Sequence, residues 1–148
     1  MINEGMIELI EEWKRWIPSK ELSLKMYIEK VIDDKKGLQL FCQSKDEKIT
    51  IKICFENFVL SYRNTDEGRR LKMLKFLTEK YGKEFYAEWS FFKVINSTYI
   101  EWFNQETYNM YSDYNIEHYV FLTCDDVVEV LSTYEPQISI DMSEKKTT

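Results

Sequence analysis

Four short runs of alternating apolar and polar residues lie in the first half of the chain, and polar turns separate them. The clearest run is 48–55, where Ile, Ile, Ile and Phe occupy every second position. A period of two residues is typical of a strand with one buried face. The other runs are 23–32, 38–42 and 58–63. Because the turns between them are too short for a crossover helix, these strands are predicted to form an antiparallel meander.

Apolar residues at helical spacing and capping residues indicate helices elsewhere. They predict an N-terminal helix over 1–17, a helix over 64–81, a short helix over 98–108 capped at Asn96-Ser97, and a helix over 125–131. Gly37, in the turn before the run 38–42, is available for a positive φ. Further strands are predicted at 85–95, 116–123 and 137–140. With 148 residues, no repeat and no strong boundary, the chain is predicted to be a single α+β domain over 1–148. It would be mostly antiparallel sheet with helices packed mainly on one face, and 143–148 would be a disordered tail.

Charge is divided unevenly along the chain. Residues 1–83 hold 17 Lys or Arg and 14 Asp or Glu, a net charge of +3. Residues 84–148 hold 3 Lys or Arg and 12 Asp or Glu, a net charge of −9, together with more than half of the aromatic residues. An acidic region rich in Tyr and Trp predicts a binding surface for a basic partner.

The composition argues against several classes of protein. No basic segment followed by an apolar run marks a signal peptide, and no window approaches a membrane span. The three cysteines, Cys42, Cys54 and Cys124, form no CxxC motif, which favours free thiols in a reducing compartment. The chain is therefore expected to be cytoplasmic, without membrane contact. Direct nucleic-acid binding is not expected either, because phosphate contacts need Lys and Arg.

Residues that could carry a reaction are few. The chain has one histidine, His118, and no sequence motif for a phosphate, dinucleotide, zinc or calcium site. No catalytic residue, metal site or cofactor is therefore predicted. An alternative keeps His118, Cys124 and the Asp125–Asp126 pair as the site of an enzyme or small-molecule binder, which requires them to meet in a deep pocket. The simpler interpretation of Asp125 and Asp126 is that they cap a helix.

One set of residues combines exposed aromatic character with negative charge and is predicted to bind a partner. Tyr and Trp dominate the energetics of protein interfaces, and carboxylates around them attract a basic partner. The set spans the short helix, the loop after it and the start of the next strand: Glu101, Trp102, Glu106, Tyr108, Tyr111, Asp113, Tyr114 and Glu117.

Three segments of the second half resemble a known family. They are the aromatic run 87–94, the Tyr-Ile-x-Trp segment 97–103 and the run 118–132, which contains the Asp-Asp pair. The pattern over about 87–135 is similar to the small cytoplasmic immunity proteins of Gram-positive bacteria that are encoded beside LXG-type polymorphic toxins. It is closest to the antitoxin of a Bacillus toxin of that class.

The resemblance implies a non-enzymatic role, in which the protein binds and blocks the C-terminal toxic domain of its partner. Toxins of this class often end in nuclease domains, whose basic surfaces would suit an acidic inhibitor. The expected partner is therefore a basic toxin domain, with a nuclease as the expected type. An adaptor or regulatory domain that binds another protein through the same surface remains the alternative, and the oligomeric state stays open.

Overall fold

Two antiparallel sheets dominate the fold, which the computed structural model describes for residues 10–20 and 25–142. The strands are β1 Glu12–Arg15, β2 Met26–Asp34, β3 Gly37–Ser44, β4 Thr50–Phe55, β5 Ser61–Asp66, β6 Phe91–Ile95, β7 Glu117–Leu122, β8 Asp126–Ser132 and β9 Gln137–Asp141. The helices are α1 Leu71–Tyr81, α2 Glu84–Ala87 and α3 Thr98–Glu106, and a 3-10 turn at Glu67–Arg69 precedes α1. Within these ranges, no helix is long and apolar enough to cross a membrane.

The order of strands places β7 at the centre of the larger sheet. That sheet runs β1-β6-β7-β8-β5, and the smaller one runs β2-β3-β4-β9. Every neighbouring pair is antiparallel. The strands β2, β3 and β4 follow one another as a meander, as the alternating runs predict. The fourth run, 58–63, is wrongly included in that meander, because its strand is β5, which pairs with β8 at the edge of the larger sheet. The predicted strand at 137–140 forms β9, which lies at the edge beside β4.

The larger sheet is covered on both faces. Toward the smaller sheet it presents aromatic side chains such as Tyr119 and Phe121, which pack with Leu40, Ile53 and Phe55 in one core. The intervening residues of its strands face the helices, and they pack against α1 and α3 in two further clusters. This arrangement confirms the predicted α+β domain, mostly antiparallel sheet with helices on one face.

The predicted N-terminal helix is wrong over its last turn, and residues 1–9 lie outside the described part. Residues 12–15 form β1, which pairs with β6. Trp13 packs on the helix side of the sheet, whereas Trp16 packs between the sheets. Helical spacing would bring both indoles to one side, but pairing with β6 buries each on a different face. Ile10 and Ile17, which helical spacing would place with Trp13 on one buried stripe, are exposed.

The predicted helix over 125–131 is also wrong, because this segment is the strand β8. Three valines favour a strand, and because both faces of the sheet are covered, successive residues are buried rather than every second one. Asp125 lies in the tight turn between β7 and β8, and Asp126 is the first residue of β8, so neither caps a helix. There Thr123 N–H donates to the carbonyl of Asp126 at 2.9 Å.

Two other boundaries differ from the predicted ones. The predicted strand over 85–95 divides into the single-turn helix α2 and the shorter strand β6. The predicted helix over 64–81 begins only at Leu71, because residues 64–66 still belong to β5 and pair with β8. The tail at 143–148 lies outside the described residues.

Gly37 closes the turn between β2 and β3 in a conformation that other residues rarely adopt. Its φ is +102°, and a Cβ added there would lie 2.0 Å from the carbonyl oxygen of Phe55. That oxygen belongs to the backbone of β4 and cannot move aside without breaking the sheet. The predicted positive φ at this glycine is therefore confirmed.

We expect Gly37→Ala to lower the free energy of unfolding by about 2 kcal/mol or more, because it adds left-handed strain to a backbone clash. Gly68→Ala is the matched control, since Gly68 has no positive φ and faces only the Asp66 side chain at 3.1 Å. Urea denaturation of both variants measures the difference. Equal losses in the two variants would contradict the role given to Gly37.

Candidate functional site

The predicted partner-binding residues lie on α3, on the turns that follow it and on the first residue of β7. We call these eight residues the acidic aromatic face; its members are Glu101, Trp102, Glu106, Tyr108, Tyr111, Asp113, Tyr114 and Glu117. Ser97 caps α3, accepting the Ile100 N–H at 3.0 Å. The Glu11 carboxylate accepts the Thr98 N–H at 2.7 Å, which ties the start of α3 to the segment before β1.

Three aromatic side chains of the face are exposed to solvent. Trp102 is 49% exposed, Tyr114 60% and Tyr108 94%. Met110, which the sequence interpretation missed, is also exposed and lies between the tyrosines in the chain. Large apolar side chains grouped in this way are typical of interaction surfaces rather than of an ordinary solvated loop.

Tyr111 differs from its neighbours because it fastens the loop to the helix. Its ring lies 5.4 Å from that of Phe103 and 5.8 Å from that of Tyr114. Tyr108 and Asn109 both adopt left-handed backbone, with φ of 52° and 60°. Such a conformation costs free energy for a non-glycine residue and is most often retained at functional sites. The loop thus holds Tyr108 outward at an energetic cost.

The four carboxylates of the face lie between residues 94 and 142, where the sequence contains no Lys or Arg. Across the described ranges, none of the four takes part in an ion pair; these carboxylates belong to Glu101, Glu106, Asp113 and Glu117. Their negative charge is therefore unneutralised within the described chain.

A cavity of about 790 Å³, which the sequence does not predict, lies between the turn that joins β2 to β3 and the segment from Glu56 to Tyr62. Its lining includes Asp33, Asp34 and Glu56, and Phe58 is 96% exposed. Leu60, which also lines it, packs in the same cluster as Phe103 and Tyr111. The sequence interpretation placed Phe58 in a strand, but β5 begins at Ser61, and Phe58 lies in the preceding loop.

Beneath α3, a buried carboxylate joins five parts of the fold. Glu129 of β8 accepts hydrogen bonds from Arg63 of β5 at 2.6 and 3.0 Å. Arg70, just before α1, donates to it at 2.6 Å. The Nε2 of His118 on β7 lies 3.1 Å from Glu129 Oε1, and the Nδ1 of His118 lies 2.7 Å from the hydroxyl of Ser97. We call these five residues the Glu129 network.

The charges in this network compensate one another. Burial alone would raise the pKa of Glu129, but hydrogen bonds from His118, Arg63 and Arg70 hold that pKa far below its ordinary value. The Arg63 guanidinium also lies 4.0 Å from the centre of the Tyr99 ring on α3. The network therefore fastens α3 to the sheet as an ionised, fully hydrogen-bonded unit.

Serine, histidine and glutamate in a row are the groups of a hydrolase triad, but the surroundings of Ser97 oppose that chemistry. Its side chain is 6% exposed, and its hydroxyl oxygen already accepts the Ile100 N–H. His118 and Glu129 line a cleft, whereas Ser97 is not among the residues that line it. A nucleophile needs room for a substrate beside its oxygen. The arrangement therefore serves to hold α3 in place.

The predicted alternative site at His118, Cys124 and Asp125 does not assemble. His118 lies near the start of β7 and Cys124 lies beyond its end. Six residues of extended chain separate the two by roughly 20 Å. The Cys42 thiol is no better placed to react, because burial raises its pKa to about 12.

Lys25 is the other partly buried ionisable group near the sheets, and its contacts are structural. Its ammonium donates to the backbone carbonyls of Tyr86, Trp89 and Leu122 at 2.7, 3.2 and 2.8 Å. Burial lowers its pKa to about 8. With three carbonyls as acceptors, Lys25 joins the start of β2 to the larger sheet.

Comparisons with known proteins add no relative. No family model, no curated protein and no solved structure matches the chain. In the part of the chain that the structure describes, no three His, Cys, Asp or Glu side chains are grouped to hold a metal ion. The resemblance of 87–135 to immunity proteins stays a prediction.

We expect Glu129→Gln to lower the free energy of unfolding at pH 7 by about 3 kcal/mol, because it leaves two guanidinium groups without their counter-charge. Since the pKa of Glu129 is lower in the folded protein than its ordinary 4.5, the carboxylate stabilises the fold fully above that pH. That stabilisation is lost progressively as the pH falls below 4.5. The gap between wild type and variant should therefore shrink in acid, as measured by urea denaturation from pH 7 to pH 3.

Glu79→Gln is the matched control. Glu79 is exposed on α1 and lies 3.9 Å from Lys75, a weak surface pair. Its substitution should change stability by less than about 0.5 kcal/mol. A gap for Glu129→Gln that stays constant down to pH 3 would show that the carboxylate does not act through its charge.

Proposed function

We propose that this protein is an immunity protein that neutralises the basic toxic domain of a cognate polymorphic toxin by binding it through the acidic aromatic face. One observation carries the proposal. A single helix-loop-strand segment presents exposed Trp and Tyr side chains among four carboxylates that form no ion pair with any described residue. A surface of that kind is suited to a partner with clustered Lys and Arg.

The physical roles within the face differ. Trp102, Tyr108 and Tyr114 supply large, rigid contact area, which loses little side-chain entropy on binding. The surrounding carboxylates attract the partner over a longer distance and raise its association rate. The Glu129 network holds α3 in position before binding, so that less free energy is spent on ordering the face.

A nuclease domain is the type of toxin that fits this chemistry best. A nuclease holds phosphates with basic side chains, and an acidic protein surface competes for the same side chains. An inhibitor that occupies the phosphate-binding side chains of the toxin needs one copy for each toxin domain, and it need not catalyse a reaction. The resemblance of residues 87–135 supports the same role.

Co-expression with the toxin domain encoded beside this gene is the direct test. The wild-type protein should restore growth and co-purify with the toxin domain at a ratio of one to one. Each of Trp102→Ala and Tyr108→Ala should weaken binding by about 2 kcal/mol, or roughly 30-fold, because each removes a central aromatic contact. Surface plasmon resonance measures the dissociation constants.

Leu71→Ala is the control, because Leu71 is exposed on α1, outside the face. It should bind as wild type does. Growth arrest despite expression of the folded wild-type protein, with no complex recovered, would overturn the proposal. Recovery of a different basic protein through the same face would favour an adaptor instead.

Charge reversal should act on the rate of association. We expect the double variant Glu106→Lys and Asp113→Lys to slow association with the toxin domain about 10-fold at low salt, while dissociation changes less. The rate should also become less sensitive to salt between 50 and 300 mM NaCl. Glu79→Lys reverses one exposed carboxylate on α1 and should leave the rate unchanged. Identical salt dependence in wild type and the double variant would contradict electrostatic attraction by this face.

A further inference from the structure

A cleft of about 520 Å³ lies on the helix side of the larger sheet, between β1, α1 and the start of α3. It is distinct from the acidic aromatic face, and none of the eight residues of that face lines it. Basic side chains from β5, the 3-10 turn and α1 converge on it: Arg63, Arg69, Arg70 and Lys72. Four residues of the Glu129 network line this cleft, but the function proposed above uses them only to hold α3 and places no ligand here.

The positive charge in the cleft exceeds the negative charge. Two carboxylates line it, those of Glu11 and Glu129. Glu129 is bound by Arg63 and by one nitrogen of Arg70, and Glu11 accepts hydrogen bonds from Thr98. Within the described ranges, Arg69 and Lys72 form no ion pair and no side-chain hydrogen bond. Two cations therefore remain for a ligand.

Among the described residues around the cleft, the polar groups that lack a hydrogen-bond partner are donors. Trp13 lines the cleft and is 4% exposed, and among the described residues its indole Nε1–H has no acceptor. An indole can only donate, but this nitrogen is shielded from solvent, so the exposed cations Arg69 and Lys72 are the groups that a ligand in the cleft contacts directly. No side chain caps the first turn of α1, whose N–H groups also need acceptors and carry partial positive charge.

The cleft also has an apolar part. Ile10, Trp13, Met73 and Phe76 line it beside the basic residues. A volume of 520 Å³ is within the range of small-molecule sites, which combine apolar walls with a few polar groups that orient the ligand. A ligand that matches both parts of the cleft has a hydrogen-bond acceptor group with two negative charges at one end and an apolar or aromatic body at the other.

We propose that this cleft binds a phosphomonoester of a small molecule with an aromatic body, such as a nucleoside monophosphate. Arg69 and Lys72 bind the phosphate oxygens, assisted by the N-terminus of α1. The aromatic body lies against Phe76 and the exposed edge of the apolar wall. The site is independent of the acidic aromatic face, and a ligand here stabilises the fold through α1 and β1.

Titration with adenosine 5′-monophosphate, inorganic phosphate and adenosine tests both parts of the ligand. Adenosine 5′-monophosphate should bind at least about 10-fold more tightly than inorganic phosphate and than adenosine, because it alone uses the cations and the apolar wall. Isothermal titration calorimetry measures the affinities. In ¹H–¹⁵N spectra the indole resonance of Trp13 should shift on addition of the nucleotide, with the other three indoles as internal references.

The double variant Arg69→Gln and Lys72→Gln should lose affinity for adenosine 5′-monophosphate at least about 10-fold. Both side chains are exposed, so the fold should be retained. Lys75→Gln is the matched control on the same helix, since Lys75 lies outside the cleft, and it should bind as wild type does. Absence of binding to wild type at 5 mM nucleotide would overturn the proposal. Equal affinity for nucleotide and inorganic phosphate, or undiminished binding by the double variant, would overturn it as well.

Discussion

The buried carboxylate of Glu129 is the interaction on which the arrangement of helices and strands depends. A carboxylate in the interior costs several kcal/mol unless charge and hydrogen bonds compensate it. Here Arg63, Arg70 and His118 satisfy it, and each comes from a different part of the chain. Through His118 and Ser97 the same network reaches the N-terminus of α3. The position of α3, and with it the acidic aromatic face, thus follows from one ionised group inside the protein.

The Glu129 network also reduces the negative charge that the acidic half of the sequence leaves free. Glu129 belongs to the acidic half of the sequence, but two arginines of the basic half neutralise it. Glu135 is likewise paired with Lys93 at 3.5 Å. Because Glu129 and Glu135 form ion pairs within the protein, their negative charge is not free to attract a partner. The charge that stays free divides into an acidic surface on α3 and its loop and a basic cleft beside α1.

Local sequence patterns predict the secondary structure of some segments correctly and of others wrongly, for identifiable physical reasons. The run 48–55 was correctly assigned because its period of two suits a strand with one buried face. In the run 125–131 the two aspartates suggest a helix cap, yet Asp125 is a turn residue and Asp126 begins the strand β8. A strand covered on both faces carries no alternation, so only the neighbouring strands reveal it. A helix over residues 12–15 is similarly wrong, since pairing with β6 buries Trp13 and the following Trp16 on opposite faces of the sheet.

Sequence alone determined the class of the fold, the capping of α3 by Ser97 and the positive φ of Gly37, because these depend on local spacing and on residue chemistry. It also identified the aromatic and acidic residues of α3 and its loop, although their role stays a proposal. Only the tertiary structure decided that Glu129 is buried, that Arg63 and Arg70 are bound to it and that Trp13 lines a cleft with Arg69 and Lys72. Those relations join residues more than 50 positions apart. Their energies depend on burial and on distances of a few ångströms, which no local pattern encodes.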